Sequence, residues 1–304
     1  MSELVVEVAD LSRSFGKTEA LHEINFEATR GKVYGLVGAN GAGKTTLIKH
    51  LLGLLRAKSG TVRVFGQDPV KRPAEVLKHI GYLSEGRDIP NWMRIDELMR
   101  YTSAFHASWD QAYARELLDT FSLDGDKNIA SLSRGMRAQV ALIAAVAHRP
   151  ELLILDEPSS GLDAIVRKDI LNAVVRTISE EGRTVIFSSH LLEEVERLSD
   201  HVTMIHQGRV TLDSSLETIN NNHHHSTFRF ADSQASKPTA AEAIAVFGEG
   251  RFWSAVHEGP FEQFQQSIRA IGGEIVESRQ ATLEEVFVSR VGRTSTIDGE
   301  AEAS

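Results

Sequence analysis

Chemistry concentrates first in the run Gly38-Ala39-Asn40-Gly41-Ala42-Gly43-Lys44-Thr45, followed by Thr46. Glycines at these intervals let backbone N–H groups converge on an anion with no Cβ in the way, and a helix starting there adds the positive end of its dipole. A lysine closing such a loop reaches the β- and γ-phosphates of a nucleotide, and the next hydroxyl sits on a magnesium ion. That assigns those tasks to Lys44 and Thr45. The flanks agree: Val33-Tyr34-Gly35-Leu36-Val37 has the composition of a buried strand, and Thr46-Leu47-Ile48-Lys49-His50-Leu51-Leu52 that of a helix. An ordinary glycine turn would not require the full spacing in this context.

A second cluster closes the apolar run Leu152-Leu153-Ile154-Leu155 with Asp156-Glu157. A buried strand ending in acids puts them at the carboxyl edge of a sheet, where ligands bind in open α/β folds. Beside a phosphate loop, Asp156 is the magnesium-side carboxylate, direct or through water, and Glu157 the group that polarises the attacking water. Without that loop the pair could be a simple turn after a strand. His190 also follows a strand, and it precedes the acidic helical run Leu191-Leu192-Glu193-Glu194-Val195. A lone histidine there could equally be structural. Ser133 precedes the helical Met136-Arg137-Ala138-Gln139-Val140-Ala141-Leu142, so it can cap that helix beside free N–H groups. That arrangement is either an anion site or a capped helix and nothing more.

Holding these groups together takes a sheet. Short apolar or β-branched runs at residues 5–8, 24–28, 33–37, 61–65, 80–83, 152–155, 184–188 and 202–205 alternate with longer helical patterns. This is how an α/β domain with a largely parallel sheet reads. Between the fifth and sixth runs the pattern turns helical, with Ile95, Leu98, Met99 and Thr102 at one spacing and Tyr113, Leu117, Leu118 and Phe121 at another. We expect an inserted helical subdomain at about residues 90–135, within a first domain covering 1–219. The polar run Asn220-Asn221-Asn222-His223-His224-His225-Ser226 reads as a linker, and no partner at ligand spacing makes its histidines a metal site. Weaker strands at 227–230, 252–256 and 274–276, with helices at 262–271 and 283–288, suggest a small accessory α/β region over 227–290. The acidic, small-residue end, 291–304, reads as disordered.

Composition excludes several classes. The 304 residues are 41% hydrophobic and 25% charged, and they contain no cysteine, which removes disulfides, thiol nucleophiles and thiolate metal sites. No apolar run approaches the roughly 18 residues needed to cross a bilayer, and the acidic start Met1-Ser2-Glu3-Leu4-Val5-Val6-Glu7 is unlike a secretory signal. A cytoplasmic chain is expected. The net charge of −9 argues against broad attraction to nucleic acid.

Leu132-Ser133-Arg134-Gly135-Met136 resembles the signature motif of ATP-binding-cassette (ABC) ATPases, and it lies upstream of Asp156 as that family orders its motifs. Ser159-Ser160-Gly161-Leu162-Asp163 resembles the family's D-loop, and Ser188-Ser189-His190 its switch histidine. The resemblance covers roughly the first two-thirds of the chain. It implies a P-loop, ABC-type nucleotide-binding fold with an inserted helical subdomain, ATP and Mg2+ as cofactors, and hydrolysis that powers a separate integral-membrane permease. It implies that His190 contacts the γ-phosphate and the water, that Phe15 stacks on adenine, and that Asp163 lies in the composite site. In the family, the signature of one cassette meets the γ-phosphate held by another, so Ser133 and Gly135 imply a second copy or a homologous cassette. The chain would then be peripheral to the cytoplasmic face of the cell membrane, held by its permease.

Three departures stand out. Glu85 follows Ile80-Gly81-Tyr82-Leu83-Ser84 where the family places its Q-loop glutamine; a metal contact from it survives in principle, but a charged group replaces an amide. Arg134 and Met136 replace a glycine and a glutamine, while the phosphate-facing Ser133 and Gly135 remain. These variants, with the closing Ala281-Thr282-Leu283-Glu284-Glu285-Val286-Phe287, resemble export-type cassettes. Two other readings stay open: a soluble cassette acting on ribosomes or DNA, and a non-hydrolysing ATP-binding regulator.

Overall fold

The computed structural model describes residues 3–175, 182–234 and 236–292 in full. The chain divides into two compact units, Met1–Leu212 and Asp213–Ser304.

In the larger unit, β1 (Leu4–Phe15) and β2 (Thr18–Thr29) form an antiparallel hairpin whose buried residues alternate with exposed ones, as a half-buried sheet requires. Then follow β3 (Val33–Val37), α1 (Lys44–Leu51) and β4 (Ser59–Val64), which pairs antiparallel with β1. The chain continues through α2 (Pro73–Leu77), β5 (Ile80–Leu83), α3 (Ile95–Ser103), α4 (Gln111–Thr120), α5 (Arg134–Val146) and β6 (Leu152–Asp156). It finishes with α6 (Ala164–Glu181), β7 (Thr184–Ser189), α7 (Leu192–Leu198), β8 (His201–His206) and β9 (Arg209–Ser215).

The main sheet has the order β5-β6-β7-β3-β8-β9, with parallel pairing from β5 through β8. Every residue of β3, β6 and β7 is buried, which explains why these strands read as unbroken apolar runs instead of alternating ones. Val6, Leu11, Phe26, Leu36, Leu47, Ile154 and Ile186 join the main sheet, α1 and the antiparallel sheet into one core. Because β3 lies beside β7, and β7 beside β6, the loops leaving all three carboxyl ends emerge together. That edge is where the sequence concentrates its polar residues. β9 escaped the sequence reading because its residues are only half-buried and mostly polar.

The smaller unit holds α8 (Leu216–Asn222), β10 (His223–Gln234), β11 (Ala243–Glu258), α9 (Phe261–Ala270), β12 (Gly273–Gln280) and α10 (Leu283–Ala301). Its antiparallel sheet has the order β11-β10-β12, over a core of Phe228, Phe230, Trp253, Phe264 and Ile268. The linker expected at 220–226 is corrected here: that run is the end of α8 and the start of the central strand. Its polar groups find partners at home. Ser215 caps α8 by accepting from Thr218 N at 3.1 Å, His223 Nδ1 lies 2.9 Å from Ile219 O, and the buried Ser226 Oγ lies 2.9 Å from His257 Nε2. Polarity therefore masked a buried strand. The boundary moves accordingly, from 219 to the Leu212/Asp213 junction. The tail expected at 291–304 falls, from 293 onward, outside the residues described in full. Among the described residues, no helix is long and apolar enough to cross a membrane.

Candidate functional site

The loop between β3 and α1 requires glycine at its two closest approaches to neighbouring backbone. A Cβ at Gly38 would lie 2.3 Å from Ile205 O, and one at Gly43 2.7 Å from Ala20 O. Gly41 and Gly43 also hold φ of 82° and 118°, in the left-handed region that glycine tolerates. Asn40 and Gly41 are exposed, Ala42 and Gly43 buried, and Thr45 and Thr46 half-buried. Helix α1 starts at Lys44 with no side-chain cap and no acid in its first turn. Its first N–H groups are therefore not claimed by a capping side chain, and they face the loop with the positive end of the helix dipole.

Lys44 is 5% exposed; its Nζ donates to Gly38 O at 2.6 Å and lies 3.1 Å from Glu157 Oε1. Thr45 Oγ1 donates to Asp156 Oδ1 at 3.2 Å, and Ser188 Oγ donates to the same oxygen at 2.7 Å. Ser188 in turn accepts the N–H of Glu157 at 2.9 Å, so one hydroxyl fixes both acidic residues. The other oxygen of Glu157, Oε2, accepts from His190 Nδ1 at 2.7 Å, so Nε2 of the exposed imidazole is the ring nitrogen not used on Glu157. Glu157 holds φ 50°, a conformation that costs a non-glycine residue about 1 kcal/mol and persists only where neighbours over-determine it. Asp156 is 1% exposed, and its recorded partners are hydroxyls. Its charge is felt nearby: the phenol of Tyr82 is pushed up to about 12, by burial first and then by Asp156, Asp88 and Glu85.

Other candidates do not touch this cluster; among the described residues no hydrogen bond or ion pair joins Phe15, Glu85, Ser133, Gly135 or Asp163 to Lys44, Thr45, Asp156 or Glu157. Ser133 caps α5, its Oγ accepting from Met136 N at 3.2 Å, while Gly135 is buried where a Cβ would meet Val166 Cγ2 at 2.9 Å. Asp163 Oδ1 accepts from Ile165 N and Val166 N, each at 3.0 Å, and so starts α6. Phe15 is 46% exposed at the end of β1, with the Arg13 guanidinium 4.7 Å from its ring centroid. Glu85 is exposed.

A family profile described as "ABC transporter" matches residues 21–160, from β2 through the carboxylates to Ser160. The bacitracin transport ATP-binding protein of Bacillus licheniformis is 33% identical over 68% of this chain and 68% of its own. The chain belongs to the ABC transporter ATPase family. A daunorubicin resistance ATP-binding protein of Streptomyces coeruleorubidus is 30% identical over 96% of this chain and 97% of its own, so its match takes in the smaller unit as well. Among solved structures, the ATP-binding subunit of an ABC transporter superposes with a TM-score of 0.66 at 28% identity, covering 71% of this chain and 92% of that one. This cassette is thus the ATP-binding and ATP-hydrolysing subunit of an ABC transporter, with the P-loop fold the sequence implied.

Sequence reasoning missed Ser188, Arg87 and Glu194. Ser188 pairs directly with Asp156 in the β6–β7 register and is the first polar residue after an apolar run, a signal that was available. Glu194, 6% exposed, accepts from Ser159 Oγ at 2.7 Å and Ser189 Oγ at 3.2 Å, and so ties α7 to the turn after the carboxylates. Nothing local in the sequence distinguishes it from its acidic neighbours.

Proposed function

We propose that this cassette acts as one of a pair, hydrolysing ATP on the cytoplasmic face of a membrane to drive export through a separate permease. The observation that carries the catalytic part is the divided carboxylate of Glu157, with Lys44 at one oxygen and His190 at the other. Phosphate oxygens compete for Lys44, which draws it from Glu157 and leaves Oε1 as a proton acceptor toward water. His190 holds Oε2 through Nδ1 and keeps its other ring nitrogen for the nucleotide. Asp163, so far occupied in starting α6, and Phe15, with an exposed ring face, serve the nucleotide from the rim of the site.

A magnesium ion fits the donor set: the buried Asp156 carboxylate, hydrogen-bonded by the hydroxyls of Thr45 and Ser188, would be one side of a site that substrate phosphates complete. Thr45 and Asp156 would hold it, with Glu85 approaching from its own loop, and the ion would neutralise charge on the phosphate oxygens. Pairing follows from the signature segment: Ser133 and Gly135 have no partner at this chain's own phosphate loop, so a second cassette supplies the loop they serve. Export is favoured by the relatives, which are named for bacitracin transport and daunorubicin resistance.

The partner assignment is tested by purifying the tagged chain from membranes in mild detergent. An integral-membrane protein should co-purify in stoichiometric amount. Recovery with ribosomes or DNA instead would overturn the reading.

A further inference from the structure

Arg87 lies in the loop between β5 and α3, two residues past Glu85, and is 4% exposed. Its Nη2 donates to Ser160 O at 2.7 Å and to Pro158 O at 3.4 Å, and its Nε has no recorded hydrogen-bond partner. Burial, followed by the positive charge of Arg134, lowers its pKa, while Glu85 acts the other way. A buried cation placed against main-chain carbonyls is a poor source of stability compared with an apolar side chain of the same volume. Its contribution is geometric: a planar fork sets the separation of the groups it joins.

The groups joined here are a loop and a turn. The turn leaves Glu157 directly, closed by Ser160 N donating to Glu157 O at 3.2 Å. Arg87 and Glu157 both hold φ 50°, so each end of the link is a left-handed non-glycine residue kept in place by its surroundings. From another side Arg134 closes on the same turn: a Cβ at Gly161 would fall 2.5 Å from its Nη1. The segment from Pro158 to Gly161 is therefore held by the Arg87 guanidinium from the Glu85 loop, with the Arg134 guanidinium of the signature helix lying close against Gly161.

We infer that Arg87 is a positioning residue for hydrolysis, fastening the Glu85 loop to the turn behind Glu157 so that displacement of the loop moves Glu157 relative to the bound nucleotide. The link gives the helical subdomain, which begins just beyond this loop, a mechanical path to the water-activating carboxylate without any contact to ATP. This rests on the assignment of Glu157 to the attacking water. Glu157→Gln measured alongside separates the two: full turnover in that variant removes the Glu157 reading, whereas the Arg87 variants test the link itself.

The experiment uses the full chain with Arg87→Met and Arg87→Lys, comparing steady-state ATPase kinetics, nucleotide affinity and thermal unfolding with the parent. Arg87→Met should lower kcat by roughly 10- to 100-fold, the scale expected for a displaced catalytic group. KM and nucleotide affinity should stay within about threefold, because no ATP contact is lost. Arg87→Lys keeps the charge but not the fork, so it should recover part of the loss and stop about fivefold below the parent. Turnover within twofold of the parent in the lysine variant, or affinity falling in step with kcat in either, overturns the inference. Should the methionine variant fail to fold, the lysine variant decides alone by the same criterion.

Discussion

Helices α1 and α5 each carry a glycine beside their first residue, Gly43 and Gly135, and both are expected to face phosphate, but their first turns are finished differently. α1 has no side-chain cap and no first-turn acid, and its opening residues Lys44 and Thr45 are already tied to Glu157 and Asp156. α5 is capped by its own Ser133, and among the described residues no hydrogen bond or ion pair joins its start to any of those four. On the proposed function, the first is an anion site assembled within the chain, and the second would meet its phosphate only on another molecule. An ATPase divided in this way would gain a built-in requirement for association.

The largest expected effect comes from the assembled half. Glu157→Gln keeps the hydrogen bond from His190 but removes the base, so turnover should fall by roughly 10² to 10⁴ while a nucleotide-bound dimer accumulates, read by ATPase assay and light scattering. Unchanged turnover would erase the proposed role of Glu157. Lys44→Ala comes next: losing a charge-assisted contact to phosphate should weaken ATP binding by about 10- to 100-fold, measured by titration with a fluorescent nucleotide. Normal binding would mean that the bare end of α1 is not the phosphate site.

What the sequence disclosed follows the same division. β3 and β5 are legible to the residue because buried parallel strands leave an unbroken apolar record, and the glycine spacing before Lys44 states its own purpose. Ser188, Arg87 and Glu194 act through contacts with residues 31 to 73 positions away, and separations of that kind leave no local pattern. The histidine run misled for the opposite reason: its polarity is local, but its burial is set by β11 and β12 on either side. Local composition reports what a segment prefers, and the sheet decides what it becomes.

The far end of α5 offers a pH test of how firmly that capped helix is seated. His148 stands just beyond it, 2% exposed, its Nε2 3.1 Å from Ile80 O and its ring stacked on His106 with centroids 3.8 Å apart. Burial, with the neighbouring His106 second, pushes its pKa down to about 4, below the ordinary histidine value of 6.5. The unfolded chain then binds the proton more readily than the folded one. This contribution to stability is intact above pH 6.5 and is lost as pH falls from there to below 4, by about 3 kcal/mol in all. Urea unfolding across that window should show the decline, and His148→Gln should make it shallower, leaving the share of His257, whose pKa burial also pushes down to about 4. A slope unchanged in the variant would place the acid sensitivity elsewhere.

The smallest effect discriminates best between a cap and a phosphate ligand. Ser133 and Ser215 do the same local work, each accepting from the backbone N–H three residues on, at 3.2 and 3.1 Å. Replacing either by alanine should cost about 1 kcal/mol of stability, the usual loss for a serine cap. If Ser133 is only a cap, the two variants should also match in turnover. If it completes the partner's site, Ser133→Ala alone should lower ATPase activity, by roughly tenfold for a lost hydrogen bond to a charged phosphate, and leave monomer ATP affinity unchanged. Ser215→Ala, with the same stability loss, subtracts the effect of a loosened helix. Equal turnover in both variants would return Ser133 to a purely structural role and remove the strongest argument for a paired cassette.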